Sequence, residues 1–164
     1  AGITVTALEL EALSLARLLT AGKRDNTLIL DIGGRSTVLA VAQNGLAKLT
    51  SHTDFAGASF TDALAGGLHI ASHEAEAMKA EHGLPAGPEF LRPILDVIAE
   101  EGRRMQSRFE KLYGQSIEQV MLVGGGSKLA GLQEYLQEKL ELPVKQMSGF
   151  DPALAVAFGL ATSE

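Results

Sequence analysis

Two stretches hold the residue types that could do chemistry. The first is "LILDIGGRSTVLAVAQNG" (28–45), in which an apolar run ends at Asp31 and turns through Gly33, Gly34, Arg35, Ser36 and Thr37 before turning apolar again. The second is "MLVGGGSKLAG" (121–131), a strand-like run that ends in Gly124, Gly125, Gly126 and Ser127. Glycine lets backbone approach a ligand closely and lets successive N–H groups converge on one anion. Ser36 and Thr37 could donate hydroxyls to the same phosphate. Asp31 at a strand end could hold a magnesium ion through water, because magnesium gives up its hydration shell reluctantly. A helix beginning directly after Gly126 would add its dipole and free N–H groups.

Each motif also has an ordinary reading. "DIGG" alone suits a hairpin turn, and three glycines suit close strand-to-helix packing. The second run is not a Walker A loop, since no Gly-Lys-Ser/Thr stands at the right spacing, and Leu129 replaces the third glycine of a dinucleotide fingerprint. Two such turns about 90 residues apart in one α/β chain say more together than either alone.

Other constellations carry less. His69 and His73 are four apart, but Ser72 is expected to cap a new helix between them, and no acidic third ligand is fixed nearby, so no metal site is expected. Arg103, Arg104, Arg108 and Lys111 read as a solvated helix end. Glu76 and Lys79, three apart on a helix, form an ordinary exposed ion pair on chemistry alone.

The elements that must position these residues follow from periodicity. "ITVTAL" (3–8) reads as a strand and 9–19 as a short helix with Leu10, Leu13 and Leu18 apolar. Strands at 27–31, 37–43 and 46–52 form a meander, with Asn44-Gly45 a strong hairpin signal. Residues 55–68 are loop then helix, with Ser59 or Thr61 as cap; 72–83 is a helix capped by Ser72 and stopped by Gly83. The longest helix, 88–114, shows an apolar stripe of Phe90, Ile94, Ile98, Met105, Phe109 and Leu112. A buried strand (118–126), a helix (127–140), an edge strand (142–147) and an apolar helix (152–161) complete the chain. Alternating strands and helices after an opening meander predict an α/β layered fold with a mixed sheet.

Bulk properties bound the function. The chain has 164 residues, 46% hydrophobic and 21% charged, which suits a globular core. With 14 Lys+Arg against 20 Asp+Glu the net charge is -6, which argues against nucleic acid as a partner. The absence of cysteine excludes disulfides and thiolate metal sites and fits a cytoplasmic location. No run approaches the roughly 20 apolar residues that span a bilayer, so no direct membrane insertion is expected. A start at Ala1 within strand-like sequence suggests a piece of a longer polypeptide.

The paired turns resemble the second half of the actin-like ATPase superfamily, whose lobes have a ribonuclease H-like fold. "LDIGGRST" is similar to its second phosphate motif and "VMLVGGGSKLAGL" to its adenosine motif. "ELEALSLA" (9–16) resembles the segment where members carry a catalytic or water-ordering acid, by position Glu9. "GASFTDALAGGLHIASHEAEAMKAEHGL" (57–84) resembles bacterial FtsA and, more closely, PilM of type IV pilus assembly. Within it, Ala75, Glu76 and Lys79 match a spacing whose Glu and Lys approach a ribose. "LVGGGSKLAGLQEYLQEKLELPV" and "ALAVAFGLA" favour PilM over FtsA, whose C-terminal amphipathic membrane helix has no counterpart after Leu160.

The resemblance implies ATP or ADP with Mg2+ between two lobes. Gly33, Gly34, Ser36 and Thr37 would then contact phosphate, Asp31 would hold magnesium through water, and Gly124, Gly125, Gly126 and Ser127 would face adenine and ribose with Glu76 and Lys79. A second strand-Asp-x-Gly turn, which opens the first lobe in this superfamily, is missing. The chain therefore reads as the second lobe, divided into 1–26 (tail of the first lobe and connecting helix), 27–56 (meander), 57–117 (helical part) and 118–164 (adenosine motif and last helix). The implied role is a cytoplasmic adaptor with weak or no ATPase activity. Its inner-membrane partner, a PilN-like protein, would bind through the missing first lobe, and homo-oligomers remain open. An FtsA-like cell-division protein and half of a sugar or acetate kinase-type phosphotransferase are the alternatives.

Overall fold

A five-stranded mixed sheet in the order β3-β2-β1-β4-β5 organises the chain, and the computed structural model describes residues 8–162 of it. The meander consists of β1 (Thr27–Ile32), β2 (Thr37–Gln43) and β3 (Leu46–Thr53), each antiparallel to the next. Asn44 and Gly45 both take positive φ (48° and 78°), as a two-residue hairpin that follows the strand twist requires. β4 (Gln119–Val123) lies parallel to β1 and β5 (Val144–Gln146) parallel to β4. β1 and β4 run the same way with Asp31 opposite Val123, so both glycine turns leave the sheet at the same end of its strands. Ligands in open α/β sheets bind outside the carboxyl ends of parallel strands, which is where this pairing puts those turns.

Every residue of β1 is buried, because helices cover both faces of the sheet. Leu28, Leu30 and Ile32 point to one side and pack with residues of α2 (Gly57–Leu68), α3 (Ser72–His82), α4 (Pro88–Tyr113) and α5 (Leu132–Leu140). Ile29 points to the other side, toward α1 (Glu11–Thr20) and α6 (Ala155–Ala161). The scarcity of aromatics leaves this work to aliphatic side chains, with Phe60 and Phe109 the largest that are fully buried.

Several boundaries differ from those expected. The strand anticipated at 3–8 lies outside the described residues, save for Leu8. In α1 the buried face is Ala12, Leu15, Ala16 and Leu19; Leu10 and Leu13 are exposed. The seam of α4 is Leu91, Leu95, Ile98, Ala99, Gly102, Met105 and Phe109, while Leu112 is 60% exposed. Small residues form part of that seam because a Cβ on Gly102 would come within 2.9 Å of Leu140 Cδ2. α3 starts after Ala71, and Glu74 rather than Ser72 satisfies its end by accepting from the Ala71 N–H (3.0 Å). Ser59 likewise reaches back from the first turn of α2 to the Ala56 N–H (3.2 Å). The expected helix at 127–140 is a short 3-10 turn, Gly125–Lys128, followed by α5 after Gly131 (φ 83°).

Candidate functional site

The first glycine turn is closed by the Gly33 N–H donating to the Ser36 carbonyl (3.0 Å). Its outward carbonyls do not face solvent. Gly33 O accepts from the Gly57 N–H (3.0 Å) and Gly34 O from the Ala58 N–H (2.8 Å), so the start of α2 is seated on the turn. This satisfies two of the orphan donors of a helix N-terminus with backbone instead of a side-chain cap. Thr37, fully buried, donates its hydroxyl to the Phe55 carbonyl (2.7 Å). It therefore anchors the loop that leads into α2, and its hydroxyl proton is spent there.

The second turn crosses the first. Gly124 has φ 81°, and a Cβ there would fall 2.4 Å from Asp31 Oδ1 and 2.5 Å from the Ile32 carbonyl. A Cβ on Gly126 would fall 2.3 Å from Ile32 Cγ2. Both glycines are thus required by the close approach of two strand ends. Ser127 is buried and donates its hydroxyl to the Gly124 carbonyl (2.7 Å), holding the 3-10 turn wound. No α-helix N-terminus follows these glycines directly: α5 starts at Leu132, so the anion-binding helix end expected here is absent from this turn.

Glu76 and Lys79 lie on α3 and are more than a surface pair. Lys79 Nζ donates to Glu76 Oε2 (2.7 Å), Thr61 Oγ1 (2.8 Å) and the Gly57 carbonyl (3.0 Å). Thr61 in turn donates to Glu76 (2.5 Å). The Lys79 side chain is 15% exposed and that of Glu76 58%, so the lysine is a tie between helices and the carboxylate faces outward. The hydrogen bonds from Lys79 and Thr61 hold the Glu76 carboxyl below its usual pKa.

These segments enclose one cleft of about 560 Å³, lined among others by Gly33 and Gly34, Gly57, Glu76 and Lys79, and Gly125 and Gly126. Of the expected residues, those six positions other than Gly57 line it; Glu9, Asp31, Ser36, Thr37, Gly124 and Ser127 do not. Residues that sequence reasoning passed over also line it: Gly57 and Ala58, Phe60, Ala80, Lys128 and Leu129. A glycine opening a helix at 57 and a lysine two residues after the glycine run were the available signals. Lys128 is held by Asp151 (2.8 Å) at the rim.

Asp31 sits just below the crossing, 9% exposed. Burial pushes its pKa up to about 6, and the negative charge of Glu11 adds to the effect. Glu9, the acid expected by position, is instead clamped by Arg17 through two bonds (2.6 and 2.9 Å), which lower its pKa. The acid that acts on Asp31 is Glu11, at the start of α1. His69 ends α2 and His73 belongs to α3. Among the described residues no group of three or more His, Cys, Asp or Glu could hold a metal ion, and no helix is long and apolar enough to cross a membrane.

A family model described as type IV pilus assembly protein PilM matches residues 2–161. The chain belongs to that family. A solved PilM-PilN type IV pilus biogenesis complex is similar at TM-score 0.82 and 28% identity, with 98% of this chain covering 53% of the PilM-fold chain there. The ethanolamine utilization protein EutJ of Escherichia coli (strain K12) is 29% identical over 160 residues, 96% of this chain and 54% of EutJ. MreB5 of Spiroplasma citri, solved with AMPPNP bound, shares the fold at TM-score 0.76 and 18% identity, 98% of this chain covering 59% of it. The fold is therefore that of an actin-like ATPase, and the chain spans about half the length of the curated relatives it matches. The PilM-family resemblance read from 57–84, 122–144 and 153–161 is borne out by these matches.

Proposed function

We propose that this chain is the nucleotide-binding half of a PilM-like adaptor in type IV pilus assembly. The observation that carries the reading is the cleft in which both glycine turns and the Glu76–Lys79 helix converge above a buried carboxylate. Gly34 presents its backbone N–H to phosphates on the turn that the Gly33 N–H closes, Gly125 and Gly126 pack against the nucleoside, and Glu76 is the acceptor for ribose hydroxyls. Ser36 belongs to the phosphate turn, whereas Thr37, Gly124 and Ser127 act by holding the turns in place. Asp31 suits a water-mediated magnesium ion: it is a lone carboxylate at the strand end, its charge is disfavoured by burial, and a cation would relieve that. Magnesium supplies charge neutralisation for the phosphates. Glu11, not Glu9, is the second acid of the site, because Glu9 is engaged with Arg17.

The adaptor role would place a PilN-like inner-membrane protein on the other lobe and the protein at the cytoplasmic side of that membrane. Bound nucleotide would bias lobe closure and so partner binding. The likeness to EutJ, as high in identity as that to PilM, supports a second reading in which the same lobe serves an ethanolamine utilization assembly. Calorimetry of Mg-ATP with the full-length protein and with this chain alone tests the proposal. Micromolar affinity for the former and far weaker binding for the latter are expected; no binding to the full-length protein refutes the nucleotide site. Co-isolation of the full-length protein with a PilN-like membrane protein separates the pilus reading from the EutJ-like one.

A further inference from the structure

Arg35 has no role in anything described above, although it stands at the tip of the turn that opens the cleft. It is exposed, between Gly34, which lines the cleft, and Ser36, whose carbonyl closes the turn. Several other donors at that end are already engaged. The Gly57 and Ala58 N–H groups are bound to the Gly33 and Gly34 carbonyls, and the Thr37 hydroxyl is bound to Phe55 O. Lys79 is bound to Gly57 O, Thr61 and Glu76, and Lys128 is paired with Asp151. Both lining cations, Lys79 and Lys128, are thus engaged, whereas Arg35, which follows the lining residue Gly34, has no hydrogen bond or ion pair among the described residues.

The charge balance makes that vacancy consequential. Glu76 lines the cleft and Asp31, with Glu11 acting on it, lies behind the glycine turns in a chain of net charge -6, and a polyphosphate would add to the negative charge. A guanidinium offers a planar fork of donors that matches phosphate oxygens bidentately, and Arg remains charged throughout the useful pH range. A Cβ on Gly34 would meet nothing within 4 Å, so the backbone leading into Arg35 stands clear of neighbouring atoms on that side. We infer that Arg35 engages the outermost phosphate of a nucleotide in this cleft and makes the site favour triphosphate over monophosphate. This rests on the nucleotide reading above and adds to it a residue and a preference.

The test is equilibrium binding of fluorescent ATP, ADP and AMP analogues, with magnesium, to the full-length protein as wild type, Arg35→Gln and Arg35→Lys. Arg35→Gln is expected to weaken ATP by about tenfold, the size of one charge-assisted contact at a solvated edge, and to leave AMP unchanged. Arg35→Lys should fall between them for ATP, since it keeps the charge and loses the fork. The wild type should also lose ATP affinity faster with added salt than Arg35→Gln does. Equal loss for ATP and AMP, or no loss for either, overturns the role of Arg35 while the nucleotide site stands. A wild type that binds none of the three removes the site and this inference together. An unchanged melting temperature for Arg35→Gln, as expected of an exposed turn residue, shows that any loss is not a folding defect.

Discussion

Replacing Asp31 with Asn should raise the stability of the fold at neutral pH, and the size of the gain can be worked from the site. The carboxyl is 9% exposed and titrates near 6 in the folded chain against an ordinary 3.8, with burial the main cause and Glu11 the second. Two units of difference correspond to about 3 kcal/mol, at roughly 1.4 kcal/mol per unit. The folded state binds the proton more tightly than the unfolded one, so this penalty is absent well below pH 3.8, where both states are protonated, and is still small at pH 4. It grows as the pH rises from about 4 to 6 and stays at its full value above, where both states are ionised. Asn is close in size and carries no charge to desolvate. After some allowance for the fit of its amide, the variant should be about 2 kcal/mol more stable than the wild type at pH 7.5 and close to it near pH 4. Urea unfolding followed by circular dichroism at pH 4, 5, 6 and 7.5 would measure this directly. A stability difference that is the same at every pH, or a less stable variant at pH 7.5, would refute the account of Asp31 as a carboxylate strained by burial. The gain in stability should be accompanied by loss of magnesium-dependent nucleotide binding, since the same charge serves both.

Two further substitutions probe the scaffold of the cleft. Gly124→Ala combines a positive φ with a Cβ 2.4 Å from Asp31 Oδ1 and 2.5 Å from the Ile32 carbonyl, so a loss of about 3 kcal/mol or failure to fold is expected in thermal unfolding. Lys79→Met keeps the stem and removes three donated hydrogen bonds, which should cost about 1–2 kcal/mol and let the Glu76 pKa return toward its usual range, as carboxyl NMR titration would report.

The sheet was legible because its signals are local. Asn44-Gly45 marks the hairpin, and the apolar runs ending at Asp31 and Val123 are strands that finish side by side at one end of the sheet. The helices were less so, for reasons visible in their seams. In α4 the buried line passes through Ala99 and Gly102, which carry little hydrophobic signal, while Leu112 is apolar and exposed. In α1, Ala12 and Ala16 are inside and Leu13 outside, as is Leu10 just before the helix. The run from Leu129 to Leu140 keeps a helical period across Gly131, whose positive φ separates a 3-10 turn from α5. At the site, the glycines could be found from residue type, and the Glu76–Lys79 pair only through the resemblance of its spacing to the family's. The commitment of the Thr37 and Ser127 hydroxyls to backbone carbonyls could not, because a hydroxyl beside a glycine turn serves a ligand or a carbonyl equally well until the chain is folded. Glu9 and Glu11 are two residues apart, and only the position of Arg17 distinguishes them.

The crossing of the two glycine turns has a consequence for modularity. Gly124 and Gly126 are shaped by the carbonyl and side chain of Ile32, a neighbour in space that lies most of the domain away in sequence. Neither motif is therefore a portable cassette. Transplanting the Asp31 turn into another sheet would leave it without the glycines that make room for it, and transplanting the second turn would leave a void where Ile32 fills it. A designer wishing to move this cleft would have to carry β1 and β4 together as one part, in parallel and in this register.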